Sequence, residues 1–290
     1  MCYLFYNKIT KNIMCNYYIH RWHNGTGNQL LAMVNIIHFT YNFKKHNECS
    51  FPFNKYFEFK PNNEIKREIV CDCSNNMDIT RKINPCSDYF LLHLDEIKSI
   101  FNNYITFKKY ENIERYYDIG IHIRSGDIFS NNIHWEYVQP PLDYYIQFIK
   151  HNPNKSMIFV FENKNNPVID KIIDYVSENK LTNITFQSDF SHIDMLTLAN
   201  CKNLVFSMGT YCIIPYVLSS YVERIVLTNF MFNKPRGKNW YKAPITSDKL
   251  RVVNLPSYIK VGSWKKKPEQ VEKMLNYKII EEELYKFNLS

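Results

Sequence analysis

The sequence predicts an α/β protein made of two β/α halves joined near residue 115. From Asp118 onward, short apolar strands alternate with amphipathic helices, the order that builds a parallel sheet. Residues 15–43 show a separate strand, a glycine-bearing turn and a helix, so a second β/α pattern begins near the N-terminus. The 290 residues exceed the roughly 100–200 of one domain, and 45% hydrophobic with 16% aromatic residues supplies enough core for two.

Residues 1–13 precede the first strand, read as an extension, and Met14 stands where a functional start would fit. Cys15–Arg21 is expected as a strand and "HNGTGNQ" as a turn. Leu30–Phe43 is expected as a helix with Leu30, Met33, Val34, Ile37 and Tyr41 on one face. Residues 44–115 read as irregular and rich in Asn, Pro and Cys, with one apolar patch over "DYFLLHLDEIKSIFNNYITF".

In the second half, Asp118–Ile123 is a strand, Leu142–Lys150 a helix, Ser156–Phe161 a strand and Pro167–Glu178 a helix. Asn183–Gln187, Lys202–Ser207 and Arg224–Phe230 supply further strands. Helices are expected over Ser191–Asn200 and Thr210–Val222, and one long closing helix over Pro268–Phe287.

The net charge of +8 permits an anionic ligand, yet the basic residues are dispersed except in "SWKKKPEQ", which reads as a solvated helix approach. There is no zinc-finger spacing, RNP-like stretch or long basic helix, so no nucleic-acid partner is expected. Eight cysteines are too sparse for a disulfide scaffold, and "CDC" lacks the two-residue gap of zinc knuckles. No apolar run approaches the ~20 residues that span a bilayer, and "MCYLFYNKITKN" is too polar for a signal peptide. Asn24-Gly25-Thr26 is formally a glycosylation sequon, but its place in a ligand loop argues against a glycosylating compartment. A soluble cytoplasmic protein is expected.

Four of the seven glycines fall in three turns: Gly25 and Gly27 in "HNGTGNQL", Gly126 in "HIRSGD" and Gly209 in "SMGTY". Glycine at the C-terminal end of a strand lets backbone N–H groups approach an anion; it also simply makes tight turns. "GTGNQ" is neither G-x-G-x-x-G nor a Walker loop, which disfavours nicotinamide and P-loop ATP chemistry.

Arg124, at a strand end beside Gly126, has the planar fork that grips a diphosphate with two parallel hydrogen bonds. His122 shares its face of the strand, as a neighbour in the site or as a packed core histidine. Asp127 and Glu136 follow within a dozen residues and offer candidate bases; equally, Asp127 can cap the following turn and Glu136 can be a solvated surface acid. No two aspartates are separated by one residue, so the Asp-x-Asp clamp of metal-dependent sugar transferases is missing and no metal is expected. There is no His-Glu-x-x-His and no Gly-x-Ser-x-Gly, against proteolysis and ester hydrolysis.

The ordered set "NGTGNQLLAMVN", "IHIRSGDIF", "QPPLDYYIQFI", "MIFVFEN" and "IDMLTLANCKNLVFSMGTYCIIPYVLSS" resembles the α-1,2-fucosyltransferase family and its wider inverting fucosyltransferase superfamily. That family carries a Gly-x-Gly-Asn-Gln turn, a His-x-Arg-Arg-Gly-Asp motif, a Leu-Asp-Tyr-Tyr and a late run ending in Asn-Ser-Thr-Phe. The resemblance implies a GT-B fold, two Rossmann-like domains facing a cleft: an acceptor-side domain over 1–115 and a donor-binding domain over 116–290. It implies no cofactor beyond a nucleotide-diphosphate sugar as donor, a glycan or glycoprotein acceptor, and a soluble member of the kind carried by large DNA viruses. By the same resemblance Arg124 and His122 hold the donor diphosphate, and Ser207, Gly209 and Thr210 form the phosphate-side turn. Gly25, Gly27, Asn28 and Gln29 line the first-domain loop, and Glu136 falls where relatives place a candidate base. Ser125 replaces the motif's second arginine, Glu162-Asn163-Lys164 replaces a Ser-Asp-Asp stretch, and "FSMGT" replaces the Asn-Ser-Thr turn. These departures leave open GDP-fucose, another donor such as UDP-xylose, or a non-catalytic nucleotide-sugar binder.

Overall fold

The computed structural model describes residues 16–18, 29–30, 33–34, 49–50, 54–60, 65–66, 76–78, 94–108, 116–130, 133, 137–209, 211, 213–231, 249–260 and 262–289. The expected 1–13 extension and residues 35–43 of the first helix lie outside them. The chain divides into two compact units, residues 1–86 with 96–108, and residues 87–95 with 109–290.

The first unit holds a parallel sheet of four short strands, β1 (Asn16–Tyr18), β2 (Cys49–Ser50), β4 (Ile65–Lys66) and β5 (Asn76–Asp78), in the order β4-β2-β1-β5. Beside it stands an antiparallel pair, β3 (Phe57–Phe59) and β6 (Ile105–Phe107). Residues 29–30 and 33–34 are helical, with Leu30, Met33 and Val34 fully buried as the helix face requires. The expectation that 44–115 is irregular is corrected: it contains β2 to β6 and the helix α1 (Leu94–Tyr104). These strands are two or three residues long, too short for alternation to rise above chance. The α1 helix and β6 grow from the one apolar patch the sequence shows there.

The second unit is a six-stranded, all-parallel sheet. Its strands are β7 (Tyr117–Ile123), β8 (Met157–Phe161), β9 (Ile184–Gln187), β10 (Cys201–Phe206), β11 (Arg224–Thr228) and β12 (Leu250–Val253), in the order β12-β11-β10-β7-β8-β9. Between them run α2 (Leu142–His151), α3 (Val168–Glu178), α4 (Ser191–Ala199) and α5 (Ile213–Leu218), followed by α6 (Pro268–Asn276). The chain steps from β7 outward to β9, then crosses back to β10 on the other side of β7 and steps outward again. Right-handed crossovers running in opposite directions place their helices on opposite faces of the sheet. The contacts agree, since α2 packs on α3 and α6 while α4 packs on α5.

β7 sits at the centre of the sheet and alternates accordingly. Ile119, Ile121 and Ile123 point into the core shared with Tyr144, Phe148, Phe159 and Phe287. Gly120, His122 and Arg124 therefore point to the opposite face, the one α4 covers. At Gly120 a Cβ would stand 2.6 Å from the Cys201 sulfur and 3.0 Å from Leu198 of α4, so glycine is what lets helix and sheet approach this closely.

Two expected helices are shorter than the sequence suggests. The closing helix stops at Asn276, and Tyr277 is extended (φ −60°, ψ 138°) before a 3₁₀ turn at Glu281–Phe287. The reason is Asp143, a buried carboxylate in the first turn of α2 that accepts the N–H of Ile279 at 2.8 Å. A continuous helix would have given that N–H to Leu275. The expected Thr210–Val222 helix ends early, at Leu218 in α5, because the Ser219 hydroxyl accepts the N–H groups of Tyr221 and Val222 at 2.9 and 3.0 Å and turns the chain. β12, absent from the sequence expectations, adds an edge strand beside β11.

Candidate functional site

The reversal between β7 and β10 is a topological switch point, where an open parallel sheet leaves a crevice at the C-terminal ends of its strands. Two of the three glycine turns meet there. Register pairs His122 with Phe206, and one further backbone bond, Ser207 N–H to the His122 carbonyl at 3.1 Å, carries the ladder past the strand ends. The buried Ser207 hydroxyl accepts the backbone N–H of Arg124 at 2.8 Å and lies 3.3 Å from Nδ1 of His122. The same hydroxyl thus ties the His122 ring and the Arg124 backbone together, and its second lone pair or its proton serves the imidazole according to the ring's tautomer.

Burial first, and the neighbouring Arg124 charge second, push the His122 imidazole down to about 3. It is therefore neutral across the working pH range. Its ring stacks on Tyr211 (5.0 Å between centroids, 29° between planes), whose hydroxyl donates to the Ser191 carbonyl at the start of α4 at 2.8 Å. A neutral imidazole offers an anion a hydrogen bond without charge. The charge comes from Arg124.

The Arg124 guanidinium lies over the Tyr137 ring, 4.5 Å from its centroid. Its Nη1 occupies the place a Cβ would take at Gly209, whose φ of +126° is itself open only to glycine. Gly126 is in the left-handed region (φ +64°), and the Glu162 carboxylate occupies the place of its missing side chain. These contacts explain why a glycine-poor chain places glycines at both turns.

Behind Arg124 the turn is stitched to the start of α3. Ser125 Oγ donates to Asn163 Oδ1 at 2.7 Å, and the same oxygen accepts the N–H groups of Gly126 (3.2 Å) and Asn165 (3.0 Å). The fully buried Asn166 gives its backbone N–H to Ser125 Oγ at 3.1 Å and its side-chain N–H to the Arg124 carbonyl at 2.9 Å. Ser125 is thus a structural link of this turn. Sequence reasoning did not find Tyr137, Tyr211 or Asn166. For Asn166 a signal existed, an Asn directly before the Pro167 that opens a helix; its Oδ1 accepts the Val168 N–H at 3.2 Å.

Of the candidate residues read from the sequence, His122, Arg124, Ser207 and Gly209 come together at this crevice. Asp127 lies in the 3₁₀ turn Gly126–Phe129 directly after Arg124, its side chain outside the described residues. Gln29 belongs to the first unit, where its Oε1 accepts from the buried Asn54 at 2.8 Å. Gly25, Gly27, Asn28, Glu136 and Thr210 lie outside the described residues. Among the described residues no group of three His, Cys, Asp or Glu side chains could hold a metal ion, and no helix is long and apolar enough to cross a membrane.

No protein-family profile matches the chain, and no curated protein sequence matches it. Among solved structures, the chain is similar to the ADP-heptose lipopolysaccharide heptosyltransferase II of E. coli. The identity is 14% and the TM-score 0.34, and the match covers 53% of this chain and 44% of that one. The match spans less than half the length of that transferase.

Proposed function

We propose that this protein is an inverting glycosyltransferase of the fucosyltransferase-like, GT-B kind. It moves a sugar from a nucleotide-diphosphate donor to a hydroxyl of a glycan acceptor. One observation carries the reading: at the switch point of the second sheet, Arg124 is held over an aromatic ring and against a glycine, where a ligand diphosphate would lie. A planar guanidinium can grip both ends of a diphosphate through parallel hydrogen bonds.

In the transfer, the acceptor oxygen attacks the anomeric carbon and gives its proton to a carboxylate base. The bond from that carbon to the diphosphate oxygen breaks, and its electron pair leaves with the diphosphate. The charge gathering on the leaving group is what Arg124 stabilises, with neutral His122 at its side and the backbone of Ser207 and Gly209 close by. Glu136 or Asp127 takes the base role. GDP-fucose is the first donor to test. UDP-xylose follows, because Ser125 is occupied in the turn and does not supply the family's second arginine. With no Asp-x-Asp clamp in the sequence, the transfer proceeds without a divalent cation.

The test measures GDP, UDP and ADP binding by calorimetry and donor turnover with and without acceptor glycans, all in excess EDTA. The parent should bind one diphosphate, with stabilisation of about 2.7 kcal/mol at a ligand concentration 100 times its Kd. Arg124→Lys keeps the charge and loses the fork, so turnover should fall at least ~10²-fold, the scale of losing one charge-stabilising donor. Arg124→Ala should lose more while remaining folded. Unchanged diphosphate affinity in Arg124→Ala would overturn the assignment. Binding without turnover on any donor would identify a nucleotide-sugar binding protein instead.

A further inference from the structure

We infer that Tyr137 is a positioning residue for the diphosphate site, acting through its aromatic face on Arg124. The inference rests on the donor-site reading above and extends it to a residue that touches no proposed ligand.

Arginine carries large side-chain rotamer freedom, and a site that must order it on binding loses affinity to that ordering. Here three restraints act before any ligand arrives. The backbone of Arg124 is tied to the Ser207 hydroxyl and, through its carbonyl, to the buried Asn166. The guanidinium Nη1 fits against Gly209 where no side chain stands. The remaining restraint is Tyr137, whose ring lies under the guanidinium at 4.5 Å, well inside the ~6 Å range of a cation–π contact.

Tyr137 is itself held. It packs at the margin of the hydrophobic core, and its carbonyl accepts from the side chain of the buried Gln139 at 3.2 Å. A half-buried ring fixed in this way gives the guanidinium a flat floor. What the site needs from position 137 is therefore an aromatic face, with the phenol hydroxyl of no account to Arg124.

The test compares Tyr137→Phe, Tyr137→Trp and Tyr137→Leu in the full chain, with GDP and UDP as probes and calorimetric Kd as readout. Tyr137→Phe should bind within about 2-fold of the parent, and Tyr137→Trp should retain binding, because indole is the best cation–π partner. Tyr137→Leu should bind about 3- to 30-fold more weakly, the fold-change that matches a partly desolvated cation–π contact. A double-mutant cycle separates positioning from bulk packing: with Arg124 already replaced by Ala, Tyr137→Leu should cost nothing further.

The inference is overturned if Tyr137→Leu binds as tightly as the parent. It is equally overturned if Tyr137→Phe loses as much as Tyr137→Leu, which would assign the role to the hydroxyl, or if Tyr137→Leu costs the same in both backgrounds. Should Arg124→Ala itself bind as tightly as the parent, the donor-site reading fails, and Tyr137's role with it. If Arg124→Ala weakens binding and Tyr137→Leu does not, only the Tyr137 inference falls.

Discussion

His122 stands two positions before a fixed positive charge and is held as a neutral ring, which gives the protein a specific weakness to acid. An unfolded chain binds a proton at this histidine below about pH 6.5, whereas the folded chain resists it down to about 3. Because the folded-state value is depressed, the folded form is penalised as pH falls through the window from about 6.5 to 3, at up to ~1.4 kcal/mol per pH unit. His122→Asn removes the titration. The stability gap between parent and variant in urea unfolding should therefore be about 2 kcal/mol smaller at pH 5 than at pH 7. A gap that does not move between those pH values would mean that the imbalance of protonation is absent. The residues that set this behaviour were partly legible. Arg124, Ser207 and Gly209 stand at strand ends beside glycine, a pattern local enough to read. Tyr137, Tyr211 and Asn166 reach the turn from separate segments by side-chain contacts, and such contacts leave no periodic mark in the chain.

Among the elements, α4 and β7 show how one position sets the spacing between a helix and a sheet. Gly120 faces Leu198 and Cys201 with no room for a methyl group, so Gly120→Ala must move α4, β10 or both. Overpacking of this kind costs about 1–3 kcal/mol. The variant should unfold at correspondingly lower urea, with diphosphate affinity reduced as well, because Ser207 and Gly209 stand in the turn that directly follows β10; a variant as stable as the parent would show that the helix yields freely. The strands β8 and β11 were legible as near-continuous apolar runs, the mark of a parallel sheet, and β7 through its alternating isoleucines. In the first unit β1 falls inside the expected Cys15–Arg21 strand, while β2 to β6, two or three residues each, were not legible. The end of α6 was hidden for another reason: "LNYKIIEEELYKF" keeps helical composition throughout, and the interruption comes from Asp143, more than a hundred residues earlier in the chain.

Across the whole molecule, the α/β class and the two parallel sheets agree with the expectation from strand–helix alternation. The switch point has a consequence in time. Arg124 and the Ser207 hydroxyl that orders it are 83 residues apart, and every element from α2 to α4 lies in the chain between them. Closing a contact of that separation costs loop entropy before it yields any stabilisation, and such long-range pairings are the late, slow steps of folding. The segment from β7 through β9 can assemble by neighbouring strand–helix–strand units, but the two halves of the anion turn join only when β10 docks on the far side of β7. In refolding from urea, helix content should return in an early phase, and protection by GDP or UDP only in the slowest one. Recovery of diphosphate binding in step with the first helical signal would contradict this order. A newly made chain would thus pass through a stage with most of its second sheet formed and no affinity for its ligand, so that nucleotide could stabilise the finished protein without accelerating its assembly.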